Sequence, residues 1–84
     1  MNIAAGKPVL GHPLNKKVFV TLTAENGVSV RAHFGRNKET GKVMRAGLTV
    51  PSSLPADAER AFDRRADRYF EEHKSELDAL IPKS

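Results

Sequence analysis

The hydrophobic period of this chain changes near residue 51. Before that point, the runs KKVFVTLTA (16–24), VSVRAHF (28–34) and VMRAGLTV (43–50) are β-branched or alternate apolar with polar side chains. After it, Ala58, Phe62, Ala66, Tyr69, Phe70, His73, Leu77, Leu80 and Ile81 recur at helical spacing. A period of two lines one face of a strand, and a period of 3.6 lines one face of a helix. The same stretch cannot satisfy both, so the expected order is three strands followed by one long helix. The expected fold is therefore α+β: a three-stranded antiparallel sheet (a meander) with one long C-terminal helix packed on one face.

The first hairpin can be set in register from burial alone. A two-residue Asn26-Gly27 loop would put Leu22 beside Arg31 and mix core with surface. A three-residue loop, Glu25-Asn26-Gly27, pairs Leu22 with Val30, Val20 with Ala32 and Val18 with Phe34. A one-residue slip flips a whole face, so the second register is expected, with Gly27 in the left-handed position that closes the loop. For the second connection, GRNKETGK, pairing His33 with Arg45 and Arg31 with Gly47 keeps the apolar faces together. The loop itself is polar and is expected to project as a basic flap.

Residues 1–15 read as an irregular N-terminal arm, because Gly6, Pro8, Gly11 and Pro13 interrupt any ladder. Ile3, Val9, Leu10 and Leu14 could still lie along a sheet edge. His12 also falls in this arm. Residues 16–84 are expected to form the single βββα domain. Ser52 or Ser53 is the expected helix cap, with Pro55 in the first turn and Pro82 ending the helix. About 26 helical residues span roughly 39 Å, whereas an eight-residue strand spans roughly 26 Å. The helix should outrun its sheet, leaving Leu77, Leu80 and Ile81 as a contact for the arm or for a second copy. A homodimer through these three residues is the expected assembly.

With 84 residues, the chain has room for one small core. It contains no cysteine, which excludes disulfides, thiolate zinc sites and cysteine nucleophiles. The N-terminus lacks a charged segment followed by a long apolar one, so no signal peptide is expected and the cytoplasm is the expected compartment. TGK at 40–42 lacks the rest of a phosphate-binding loop, and no Ser, His and acid fall into a nucleophile motif. The carboxylates are interleaved with arginine on the helix, as on a solvated face. His73 falls on the helix stripe, where a packed histidine is the expectation. A non-enzymatic protein with no cofactor and no metal is therefore expected.

Charge gives the functional lead. Residues 1–50 sum to +6 and residues 51–84 to −2, within a total of +4. The outer face of the sheet would carry Phe19, Thr21, Thr23, Ser29, Arg31, His33, Val43, Arg45 and Thr49, with no acid. Arginines there can fork onto phosphate oxygens or guanine edges. Phe19 and His33 would lie side by side as a stacking platform for an unpaired base. Arg36, Lys38 and Lys42 in the flap could hold a backbone, and Gly47 leaves room for close approach. The expected nucleic-acid-binding set is Phe19, Arg31, His33, Arg36, Lys38, Lys42 and Arg45, with DNA favoured over RNA.

Over residues 16 to about 70, a three-stranded sheet followed by a helix, with a basic outer face, resembles the arm-type DNA-binding domain of tyrosine integrases and the plant AP2-type domain. That resemblance implies a sheet that enters the major groove. It rests on element order, the Trp of AP2-type sheets is missing here, and no functional residue carries over. The alternative expectation is a protein-binding module: an inhibitor, adaptor or phage- or plasmid-type anti-defence factor that covers an acidic surface of its target. Neither reading involves a membrane.

Overall fold

The computed structural model describes residues 2–11 and 17–82. Five strands and two helices follow one another: β1 (Ile3–Ala5), β2 (Val9–Leu10), β3 (Val18–Ala24), β4 (Ser29–Arg36), β5 (Val43–Thr49), α1 (Ala56–Glu72) and α2 (Lys74–Leu80). All strand pairs are antiparallel. The sheet order is β1-β3-β4-β5, and β2 also pairs with β3, further along the same edge. The α+β class and the β3-β4-β5 meander are as expected.

The stretch expected to be irregular contributes two strands. Ala4 lies opposite Thr23, and Val9 lies opposite Phe19. Gly6 and Pro8 interrupt this edge strand at residues 6–8 without preventing its pairing, since Gly6 still donates to the Thr21 carbonyl at 2.9 Å. Leu14, expected at the same edge, and His12 lie outside the described residues.

The first hairpin has the register that burial demands: Val18 opposite Phe34, Val20 opposite Ala32, Leu22 opposite Val30. Gly27 takes φ 90°, and its N–H bonds the Ala24 carbonyl at 3.0 Å. The second hairpin differs from expectation. His33 faces Gly47 and Arg31 faces Thr49, but Phe34 faces Arg45. The register shifts between His33 and Phe34, so Ala46 is an extra residue in β5. Such a bulge turns the side chains beyond it to the opposite face. Arg45 and Val43 thus share the helix-covered face with Phe34, while Met44 is exposed on the outer one.

The long helix is broken. At His73 the backbone leaves helical geometry (φ −125°, ψ 22°). Its N–H is shared between the Tyr69 and Phe70 carbonyls at 3.0 and 3.3 Å. Its ring stacks on Tyr69, with centroids 4.0 Å apart, and Nδ1 lies 2.9 Å from the Tyr69 carbonyl oxygen that accepts from it. The bend folds α2 back over the sheet instead of letting it overhang. Leu77 and Ile81 are consequently buried with Val18, Val20, Leu22, Phe34, Phe62 and Tyr69 in one core. The expected dimer contact is corrected on this point: Leu77 and Ile81 are interior residues, and only Leu80 remains at the surface. Pro55, not Ser52 or Ser53, is the N-cap of α1, and no side chain caps that end. Among the described residues, no helix is long and apolar enough to cross a membrane.

Candidate nucleic-acid interface

The outer sheet face is set by strand parity. Phe19, Thr21 and Thr23 of β3 lie opposite His33, Arg31 and Ser29 of β4. Lys17, just before β3, has the same parity as Phe19, and its stem passes Gly35. Val9 joins the face from β2 by pairing with Phe19. On β5, Gly47 and Thr49 complete it opposite His33 and Arg31. No acidic side chain belongs to these strands.

Three of the expected site residues form one cluster here. The Arg31 guanidinium lies over the Phe19 ring at 4.8 Å, a cation–π contact. Phe19 and His33 have centroids 6.4 Å apart but are tilted by 55°, so the two rings do not make a flat platform. Arg31 is exposed beside them, and a guanidinium is a group on which a base can stack as on an aromatic ring. His33 Nε2 and Thr49 Oγ1 are 2.7 Å apart, which fixes the imidazole between strands. Burial, then the nearby charges of Lys17 and Arg31, hold the His33 pKa below its ordinary value, so the ring is neutral at neutral pH. Beside the cluster is an open hollow of about 440 Å³ lined by Lys17, Phe19, His33, Ala46 and Gly47 among others, none of them acidic.

Gly47 belongs to this hollow for two reasons. Its φ of 153° accommodates the bulge, and a Cβ at that position would meet nothing within 4 Å, so the backbone is open to approach.

The connection between β4 and β5 is a compact turn. The Asn37 side-chain oxygen accepts from the Glu39 and Thr40 N–H groups at 2.7 and 3.1 Å. The Gly41 N–H bonds the Asn37 carbonyl at 2.8 Å, with Gly41 at φ 73°. Asparagine here substitutes its side chain for a turn of backbone. Lys38 and Lys42 are exposed on the turn and have no ion-pair partner among the described residues.

Arg36 and Arg45, both expected at this interface, face the helices. Arg36 follows the parity of Phe34 and reaches the end of α2. Its Nη1 bonds Asp78 Oδ1 at 2.7 Å and the Gly41 carbonyl at 2.8 Å, and its Nη2 bonds the Asp78 and Ile81 carbonyls at 2.6 and 2.9 Å. It caps the C-terminal carbonyls of α2 and ties the turn to them. Arg45 is turned inward by the bulge and forks onto α1. Nη2 meets Asp63 at 2.8 Å and Nη1 meets Asp67 at 2.8 Å. Burial opposes its charge, and the hydrogen bonds to Asp67 and Asp63 outweigh it, so its pKa is raised above the ordinary value.

The candidate residues left on the outer face and the turn are thus Lys17, Phe19, Arg31, His33, Lys38 and Lys42. Lys17 was legible from alternation alone, since it shares parity with Phe19 and Thr21. Compared with protein families, with curated proteins and with solved structures, the chain finds no match in any of the three.

Proposed function

We propose that this protein binds nucleic acid through the outer face of its sheet and the β4–β5 turn, without catalysing a reaction. The observation that carries this reading is the acid-free cluster of Arg31 over Phe19 beside His33, next to the open hollow and within the same half of the chain as Lys38 and Lys42. Arg31 supplies both charge and a stacking plane, and Lys17, Lys38 and Lys42 supply point charges for phosphates. The second reading, an acidic protein surface as partner, is supported by Val9 and Met44, which are 47% and 43% exposed on this same face. Exposed apolar side chains among cations suit a protein contact better than a phosphate backbone.

The test is fluorescence anisotropy with labelled single strands and duplexes of DNA and RNA over a range of salt. Affinity should fall linearly on a log–log salt plot, because neutralised phosphates release counterions. Replacing Lys38 and Lys42 by Gln should weaken all sequences alike and flatten that slope by about two units. Binding that survives removal of Lys17, Arg31, Lys38 and Lys42 together would reject this interface and put the protein-partner reading first.

A further inference from the structure

A second cationic site lies away from this face, where α1 passes the β1 edge. A cleft of about 620 Å³ opens there, lined by Asn2, Ile3, Ala4, Ala61 and three arginines, Arg64, Arg65 and Arg68. Ala61, one turn before Arg64 and Arg65, leaves the α1 wall of the cleft low. Positions 61, 64, 65 and 68 fall on one side of a helix, so the three guanidiniums emerge together.

Arg65 is fixed in place. Its Nε donates to the Ile3 carbonyl at 3.0 Å, and its Nη1 is buried with no hydrogen-bond partner. The nearest carboxylate oxygen to Nη1, on Glu72, is 4.0 Å away. Arg65 lines the cleft from this fixed position. Arg68 is exposed and also reaches only for Glu72, at 3.8 Å. Arg64 has no hydrogen-bond or ion-pair partner among the described residues. Among the described residues, Glu72 is therefore the one carboxylate within 4.0 Å of these three cations, and Glu25 stands at the margin, where its carboxylate accepts from the Asn2 amide at 2.9 Å.

The β1 edge adds a donor. Gly6 donates to Thr21, so by antiparallel alternation Ala4 also faces β3, while Ile3 and Ala5 turn their backbone groups outward. The Ile3 carbonyl is taken by Arg65, and the Ile3 N–H remains at the cleft margin.

We propose that this cleft binds a phosphate group, gripped by Arg64, Arg65 and Arg68. A surplus of positive charge matches a phosphate monoester, mostly a dianion at neutral pH, or free phosphate, divided there between monoanion and dianion, better than it matches one carboxylate. Residue type points the same way. The outer-face and turn cations are mostly lysine, whereas every cation lining the cleft is arginine, the side chain whose planar fork suits tetrahedral oxyanions. Arg65 blocks the edge at Ile3, so an added peptide strand fits less well than a compact anion. The site is independent of the outer-face reading.

Backbone amide shifts on titration with inorganic phosphate test the proposal. Ile3, Ala4 and residues 61–68 should shift and saturate, and chloride at matched ionic strength should not reproduce this. Arg64→Gln with Arg68→Gln should weaken phosphate at least ~10-fold, as expected for losing charge-assisted hydrogen bonds. Lys38→Gln with Lys42→Gln should leave it within about twofold, which separates this site from the outer face. Both pairs are exposed, so unchanged spectra elsewhere will report intact folds. O-phosphoserine against serine, and thymidine 5′-monophosphate against thymidine, then distinguish a phosphoprotein from a nucleotide source. Preference for either phosphorylated form supports the site. Shifts that never saturate, equal loss in the lysine pair, or equal binding of phosphorylated and unphosphorylated compounds would overturn it.

Discussion

Arg45 shows how a single residue can be read correctly for charge and wrongly for role. Its alternation with Val43 and Gly47 suggests an outward side chain, yet it is a bracket between β5 and α1. Two carboxylates at 2.8 Å hold its terminal nitrogens, its buried Nε has no partner, and its side chain is only 19% exposed. A phosphate approaching the outer face meets Arg31, not Arg45. Arg45→Gln should therefore lower stability by about 1–3 kcal/mol, the range for hydrogen bonds to charged groups. It should leave nucleic-acid affinity within about twofold when measured well below the melting temperature, as expected for a site outside the contact. Lys38→Gln should do the reverse. Chemical denaturation and anisotropy on the two variants check both halves. An Arg45 variant with full stability and lost binding would return that residue to the interface.

At the level of elements, what was legible followed from burial on one face. The β3–β4 register and Gly27 came from the rule that a one-residue slip exposes the core. The β4–β5 register could not come from that rule, because a bulge allows both halves of β5 to satisfy burial separately. Gly47, an isolated glycine within a strand pattern, was the available signal. Gly47→Val should cost about 1–3 kcal/mol through backbone strain alone, since the position has open space around it. Urea denaturation of Gly47→Ala and Gly47→Val would reveal this as a similar loss in each; unchanged stability in both would mean the bulge tolerates any residue. The bend at His73 had no Pro or Gly to announce it. It follows from the gain in burying Leu77 and Ile81, a tertiary effect that overrides a continuous helical pattern. Leu77→Ala should cost about 2–5 kcal/mol, the range for a filled core position. In an overhanging helix the same change would be close to neutral, so thermal or chemical melting decides between the two geometries.

For the whole molecule, charge is sorted by the fold more sharply than by the sequence. Arg45 engages Asp63 and Asp67, Arg36 engages Asp78, and Lys74 lies 3.3 Å from Glu71. These pairs remove two arginines from the basic half of the chain and leave the outer face to Lys17, Arg31 and His33, and the β4–β5 turn to Lys38 and Lys42. His33 makes the proposed binding pH-dependent, and the sign can be worked out. In the free protein its pKa lies below the ordinary 6.5 because of burial and then Lys17 and Arg31. The unfolded chain thus takes up this proton first. The stability associated with neutral His33 is complete above about pH 6.5 and is lost as pH falls through that value towards the lowered one. A bound phosphate acts in the opposite direction, because a nearby anion favours the imidazolium. Nucleic-acid affinity should therefore rise as pH falls from about 8 to about 5.5, at constant salt, while folded stability declines modestly. His33→Gln keeps a polar group opposite Thr49 and cannot titrate, so it should flatten the pH dependence of binding while retaining most of the affinity at the upper end. Anisotropy titrations across that range, on parent and variant, measure both. If the His33→Gln protein keeps the same pH profile, His33 is not in contact with the bound phosphate, and the anion path must run instead along Arg31 and the β4–β5 turn.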